Sequence, residues 1–235
     1  MPSTGKLYLI PSFLGENNLD IIPDQVKKMV EQLDEFIVED ARTARRYLRA
    51  IGYKKNFDTE VIIRELDKHA AQQNCEALLE NILAGKDAGI LSEAGNPCIA
   101  DPGSELVAFA HHHNIEVIPL VGPSSILLAL ISSGFNGQNF SFHGYLPVKE
   151  PERSSKIRQL ETNAGKGITQ IFMETPFRNQ KLLEEILRTC GDETLLCIAC
   201  DLSLSTQFIH TRKMKDWKKE IPLINKRYCI FLFGK

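Results

Sequence analysis

The chain has 235 residues, of which 43% are apolar and 25% charged, and its formal net charge is −2. That length suits one large domain or two small ones, and the balance is that of an ordinary soluble globular protein. It excludes a strongly basic nucleic-acid binder, so any RNA contact has to come from a local patch, and no apolar run nears the ~20 residues of a membrane span.

Met1 to Ile10 lacks a basic start and a cleavage site, so no signal peptide is expected. The six cysteines are scattered, mostly in apolar runs, which points to reduced thiols in a cytoplasmic protein.

Lys6 to Ile10 reads as a first strand, stopped by Pro11. Pro23 suits the first turn of a helix running to about Leu33. A short strand at 35–38 and a helix from Ala41 to Ile51 follow, with Gly52 as the helix stop. A longer helix is expected from Leu66 to Ala84, ended by Gly85. Strand 88–92, helix 103–113, strand 115–118 and helix 124–133 continue the alternation. Such alternation predicts a mostly parallel sheet with crossover helices. Gly134 to Asn139 is a candidate linker. Beyond it come strand 140–143, a polar segment from Lys149 to Glu161, strand 168–173, helix 177–189, strand 194–200, helix 214–219 and strand 227–233. The reading is α/β, with two α/β domains over residues 1–119 and 120–235 and a cleft between them.

The stretch from Ile90 to Gly103 is the most informative. A short apolar run ends in Ser92-Glu93-Ala94-Gly95-Asn96-Pro97 and then Asp101-Pro102-Gly103 before a helix. Ligands of parallel α/β sheets bind at the carboxyl ends of strands. Glycine lets a backbone approach a ligand with no side chain in the way. A second strand-to-helix turn at Gly122-Pro123-Ser124-Ser125 adds amides and hydroxyls suited to a carboxylate or a ribose hydroxyl. No dinucleotide or phosphate-loop pattern is present.

Glu39-Asp40-Ala41-Arg42 ends another strand, and Arg42, Arg45, Arg46 and Arg49 share one helix face. Guanidinium forks suit phosphates, and no acid interrupts that run. A solvated helix face is the plainer alternative. His111-His112-His113 point in different directions on a helix, and Cys197 and Cys200 lack a second pair, so neither supports a metal site. Asp201 is a strand-end acid or a turn residue, the lysines around Trp217 a basic surface or a solvated helix, and Met173 a cleft-lining or a core residue.

Taken together, these pieces resemble the tetrapyrrole methylase superfamily of S-adenosylmethionine-dependent methyltransferases. Within it they are most similar to the small-subunit ribosomal RNA cytidine 2′-O-ribose methyltransferases. The resemblance runs from Leu7-Tyr8-Leu9-Ile10-Pro11 to the last strand. It rests on Glu39-Asp40-Ala41-Arg42, the 92–103 loop, Val121-Gly122-Pro123, Gly144-Tyr145-Leu146-Pro147 and Glu174-Thr175-Pro176-Phe177-Arg178. It implies two α/β domains with S-adenosylmethionine in the cleft between them, a homodimer and no metal.

By matching position it implies cofactor contacts from Pro11, Asn96, Ile99, Ser124 and Ser125, with Met173 and Leu202 from the second domain. Glu39, Asp40 and Glu93 are the candidate proton acceptors, and Arg42, Arg45, Arg46 and Arg49 the RNA-holding face. The chain departs from the family pattern at Phe13 to Asn17, His69 to Ala71, Cys200 to Leu204 and Lys226 to Tyr228. These departures fall on the substrate side more than on the cofactor loops. Three readings follow: methylation of a ribose in small-subunit ribosomal RNA, methylation of a tetrapyrrole-like or other small molecule, and a non-catalytic binder of cofactor or RNA.

Overall fold

Short apolar runs punctuated by glycine and proline turns build two five-stranded sheets. The computed structural model describes residues 4–15, 18–66 and 74–235. The chain divides into two compact units, residues 1–124 and 125–235.

In the first unit β1 (Lys6–Ile10) leads to α1 (Asp24–Gln32), β2 (Glu35–Val38) and α2 (Ala41–Ala50). Then come β3 (Ile62–Glu65), the short α3 (Cys75–Leu78) and α4 (Glu80–Leu83), β4 (Ala88–Leu91), α5 (Gly103–His112) and β5 (Glu116–Pro119). All pairings are parallel, in the order β3-β2-β4-β1-β5. β2 and β4 are buried along their whole length, as central strands covered on both faces must be. Phe36, Val38, Tyr47 and Leu48 lie in one core cluster, and Ile37, Ile90, Leu106 and Ala110 in another.

Two expectations fail here. β3 was not foreseen: among the described residues it pairs with β2 alone, leaves Ile62 exposed, and is held by an Arg64–Glu35 ion pair of 2.6 Å. The long helix expected over 66–84 is two single-turn helices after Asn74, while 67–73 lie outside the described residues.

The second unit runs α6 (Ser125–Ser133), β6 (Phe140–Tyr145), α7 (Glu152–Gly165), β7 (Thr169–Met173), α8 (Asn179–Thr189), β8 (Leu195–Cys200), β9 (Phe208–Lys213), α9 (Met214–Trp217) and β10 (Cys229–Gly234). Its sheet is mixed, in the order β6-β7-β10-β8-β9, with β6 and β7 parallel and the other pairs antiparallel. Phe231 and Phe233 pack with Phe172, Trp217 and the apolar faces of α7 and α8. Ile230 and Leu232 alternate to the opposite side, and α6 packs on β8, β9 and β10. The segment 134–139, expected as a linker, lies inside this unit between α6 and β6.

The polar stretch from Lys149 is mostly helix, because Ile157, Leu160 and Ala164 form an apolar stripe and the buried Arg153 pairs with Glu185 of α8.

Candidate functional site

The strand order itself locates a crevice. β1 and β4 are neighbours, yet the chain leaves β1 toward β2 on one side and leaves β4 toward β5 on the other. Where connections depart in opposite directions, the carboxyl edge of a parallel sheet opens to a ligand.

Three loops meet there. The Ser12 amide donates to the Gly95 carbonyl at 2.8 Å, and the Gly95 amide returns a bond to the Phe13 carbonyl at 3.2 Å. Gly122, after β5, presses on Pro11: a Cβ there would fall 2.0 Å from the Pro11 Cβ and 3.3 Å from the Asn96 Oδ1. Only glycine permits that approach. From beneath, the buried Tyr47 of α2 donates its hydroxyl to the Pro11 carbonyl at 2.6 Å, with its ring edge-on to Phe13. Burial pushes the Tyr47 phenol far above its ordinary value, so it stays a donor.

The 92–103 loop is strained and clamped. Gly95, Cys98 and Ala100 have φ of 70°, 68° and 61°. Non-glycine residues in that region cost of order 1 kcal/mol or more and cluster at ligand sites. The Asp101 carboxylate holds the bend, accepting from the Cys98 amide at 2.8 Å and the Gly103 amide at 2.8 Å. Burial raises its carboxyl above the ordinary range, against the pull of those amides. The loop turns Ile99 outward, 45% exposed.

Glu39 follows β2 and accepts from the Glu93 amide at 3.2 Å, so the acid of one loop braces the backbone of the next. Asp40 is the N-cap of α2, accepting from the Thr43 amide at 2.7 Å. Beyond it, Arg42, Arg45 and Arg46 are exposed, and none forms an ion pair among the described residues. Arg49 is committed: it donates to the Tyr53 carbonyl at 2.6 Å and the Lys55 carbonyl at 2.9 Å, with its guanidinium 4.2 Å from the Phe57 ring centre.

In the second unit, β7 and β8 both run antiparallel to β10, so Met173 and Leu202 lie at the same end of that sheet. Met173 is half-buried and Leu202 buried. Ser125 opens α6, while Ser124 closes the first unit. Glu174 is buried and bonded to Arg178 at 2.6 Å. Asp201 accepts from the Arg227 Nε at 2.7 Å, the Thr206 hydroxyl at 2.9 Å and the Tyr228 amide at 3.1 Å, which makes it a turn residue. The lysines around Trp217 pair with Asp192, Glu193 and Asp216, as a solvated surface does. Among the described residues no helix is long and apolar enough to cross a membrane. No cluster of three or more metal-ligating side chains is found among them either.

The model of the tetrapyrrole (corrin/porphyrin) methylases matches residues 6–217. The chain belongs to this family. As a tetrapyrrole methylase family member it is a methyltransferase and requires a methyl donor. It is 31% identical over 203 residues to the "Ribosomal RNA small subunit methyltransferase I" of Vibrio cholerae, covering 86% of this chain and 67% of that protein. The protein of the same name from Pasteurella multocida is 31% identical over 222 residues, covering 93% and 75%. Among solved structures, the methyltransferase CobJ matches with a TM-score of 0.64 at 17% identity over 99% of this chain and 95% of that one. The cobalt precorrin-4 methyltransferase CbiF gives 0.60 at 16%, over 97% and 94%. At such identities the two structures speak for the fold.

Within this methylase chain the structure brings Pro11, Asn96 and the 92–103 loop together, with Glu39 and Glu93 beside them. It also reveals three residues that sequence reasoning missed: Tyr47, Ser12 and Asp101. Tyr47 reads as an ordinary apolar-face residue of a helix, Ser12 as an ordinary loop serine, and Asp101 only as a motif letter. Their roles lie in hydrogen bonds that periodicity does not register.

Proposed function

We propose that this methyltransferase uses S-adenosylmethionine to methylate a ribose 2′-hydroxyl of small-subunit ribosomal RNA. The observation that carries the RNA reading is the face of α2, where Arg42, Arg45 and Arg46 stand exposed without acidic partners among the described residues, on a helix whose cap Asp40 directly follows Glu39, the acid bonded to the 92–103 loop. The names of the curated relatives support the same acceptor.

The crevice fits the donor. A small polar molecule with a flat apolar part needs a backbone it can approach closely, an amide and an apolar contact. Gly95, Gly122, Asn96 and the outward Ile99 offer those. Bound, S-adenosylmethionine supplies an electrophilic methyl group on a sulfonium. Alignment of the acceptor oxygen with that carbon is the main task of such an enzyme, and it falls to the loops clamped by Asp101 and Tyr47. Glu39 is the proposed acceptor of the hydroxyl proton, because its bond to the Glu93 amide sets it against the 92–103 loop, whereas Asp40 caps α2. Arg42, Arg45 and Arg46 hold the strand by its phosphates. Arg49 keeps the end of α2 in place.

The test uses radiolabelled S-adenosylmethionine with small ribosomal subunits from a strain lacking the gene. Label mapped to one nucleotide and lost in Asn96→Ala supports the reading. Replacing Arg42, Arg45 and Arg46 by alanine should weaken RNA binding and flatten its salt dependence while donor binding holds. Label in extracted small molecules and none in the subunits would refute the ribosomal acceptor.

A further inference from the structure

We propose that Ser12 is a methyl-donor-binding residue, its hydroxyl bonding directly to a polar group of the donor. The inference deepens the donor reading above and rests on it.

Ser12 is the second residue beyond β1 and only 3% exposed. Its Oγ is buried and has no hydrogen-bond partner among the described residues. A buried hydroxyl left unpaired costs about 1–3 kcal/mol, and native proteins leave few such groups without a reason. A serine in a loop ordinarily turns onto a nearby backbone carbonyl. Here the nearby carbonyls already serve other donors. Tyr47 occupies the Pro11 carbonyl at 2.6 Å. The Gly95 carbonyl already accepts the Ser12 amide at 2.8 Å and the Ser92 hydroxyl at 3.2 Å.

The backbone on either side is held in place. Its own amide is bonded to Gly95, Phe13 is bonded back to Gly95, and Gly122 wedges against Pro11. The loop is pinned at the Ser12 amide and the Ser12 hydroxyl is left unsatisfied, at the point where the strand order reverses.

Enclosure selects the donor over the acceptor. A polynucleotide held on the exposed guanidiniums of α2 stays at the surface, whereas a small molecule entering the crevice reaches a side chain this enclosed. A hydroxyl both donates and accepts, which matches the ribose hydroxyls and the carboxylate of S-adenosylmethionine.

The experiment is calorimetric titration of the full chain with S-adenosylhomocysteine, which binds without turnover, alongside urea unfolding in the absence of ligand. Ser12→Ala should lower affinity about 3- to 10-fold, the worth of one neutral hydrogen bond. Ligand-free stability should hold or rise, since no protein bond is lost. Ser12→Thr keeps a hydroxyl and should retain most of the affinity. Equal affinity in wild type and Ser12→Ala overturns the proposal and leaves the donor reading standing. No binding by the wild type overturns both. A marked stability loss in ligand-free Ser12→Ala, or a raised KM for RNA with donor affinity intact, also overturns it.

Discussion

Gly122→Ala tests the convergence of the three loops. The added Cβ would stand 2.0 Å from the Pro11 Cβ and 2.3 Å from its Cγ. Carbon atoms in contact rest at about 3.5–4.0 Å, so one loop has to retreat by roughly 1.5 Å. Neither yields readily. The pyrrolidine ring fixes its own φ, the Pro11 carbonyl is tied to Tyr47, and the next amide is tied to Gly95. The backbone of Gly122 is not in the left-handed region, so the whole cost is steric. Overpacking of this kind costs about 1–3 kcal/mol. Donor affinity should fall further, by ~10-fold or more, because a displacement near 1 Å at a binding constellation can cost up to ~100-fold. Gly137→Ala is the matched control: nothing lies within 4 Å of its added Cβ and its φ is unstrained. It should stay within about 0.5 kcal/mol of wild type. Urea unfolding and titration with S-adenosylhomocysteine measure both quantities. If the two variants are indistinguishable in stability and in affinity, the loops do not form the site.

Asp101→Ala removes the acceptor of the Cys98 and Gly103 amides. We expect a loss of about 1–3 kcal/mol per stranded amide and faster proteolysis within 92–103; unchanged unfolding and digestion would contradict the clamp. Glu185→Ala strands the buried Arg153 charge and should destabilise the protein by about 3–5 kcal/mol in chemical denaturation. A Glu185→Ala variant as stable as wild type would show that Arg153 reaches water. Burial lowers the pKa of His143, opposed by its hydrogen bond to Gln170. The folded state therefore takes up this proton less readily than the unfolded chain. The neutral form's stability is fully present above the ordinary histidine value of about 6.5 and is lost as pH falls from there toward the folded-state value. His143→Gln should flatten the stability profile in that window; an unchanged slope refutes the assignment.

What sequence could reveal was set by which forces leave a periodic trace. The central strands β2 and β4 were legible because burial on both faces demands unbroken apolar runs. The edge strands β3 and β9 were not, because each pairs on one side only, is half-exposed, and carries mixed residues such as Arg64, His210 and Arg212. Helix α7 hid behind its polar composition. Its apolar stripe is only three residues wide, and its buried Arg153 reads as a surface charge until Glu185 from α8 meets it.

The same distinction governs the site. The loop letters Gly95, Asn96 and Gly122 were legible because close backbone approach selects glycine and a flexible turn selects small polar residues. The arginine face was legible as a face, but Arg49 was not separable from its neighbours, because its bonds go to carbonyls of a loop that follows the helix. Tyr47 carries the sharpest case. On the helix wheel it lies opposite Arg45 and belongs to the apolar core with Leu48. Only the fold shows its hydroxyl on the Pro11 carbonyl, and with it a direct connection between the helix proposed to hold the acceptor and the loop proposed to hold the donor. A Tyr47→Phe variant keeps the ring and its packing and loses that one bond. A weakened coupling between RNA and donor binding in it, with each partner's separate affinity nearly preserved, is the result this connection requires.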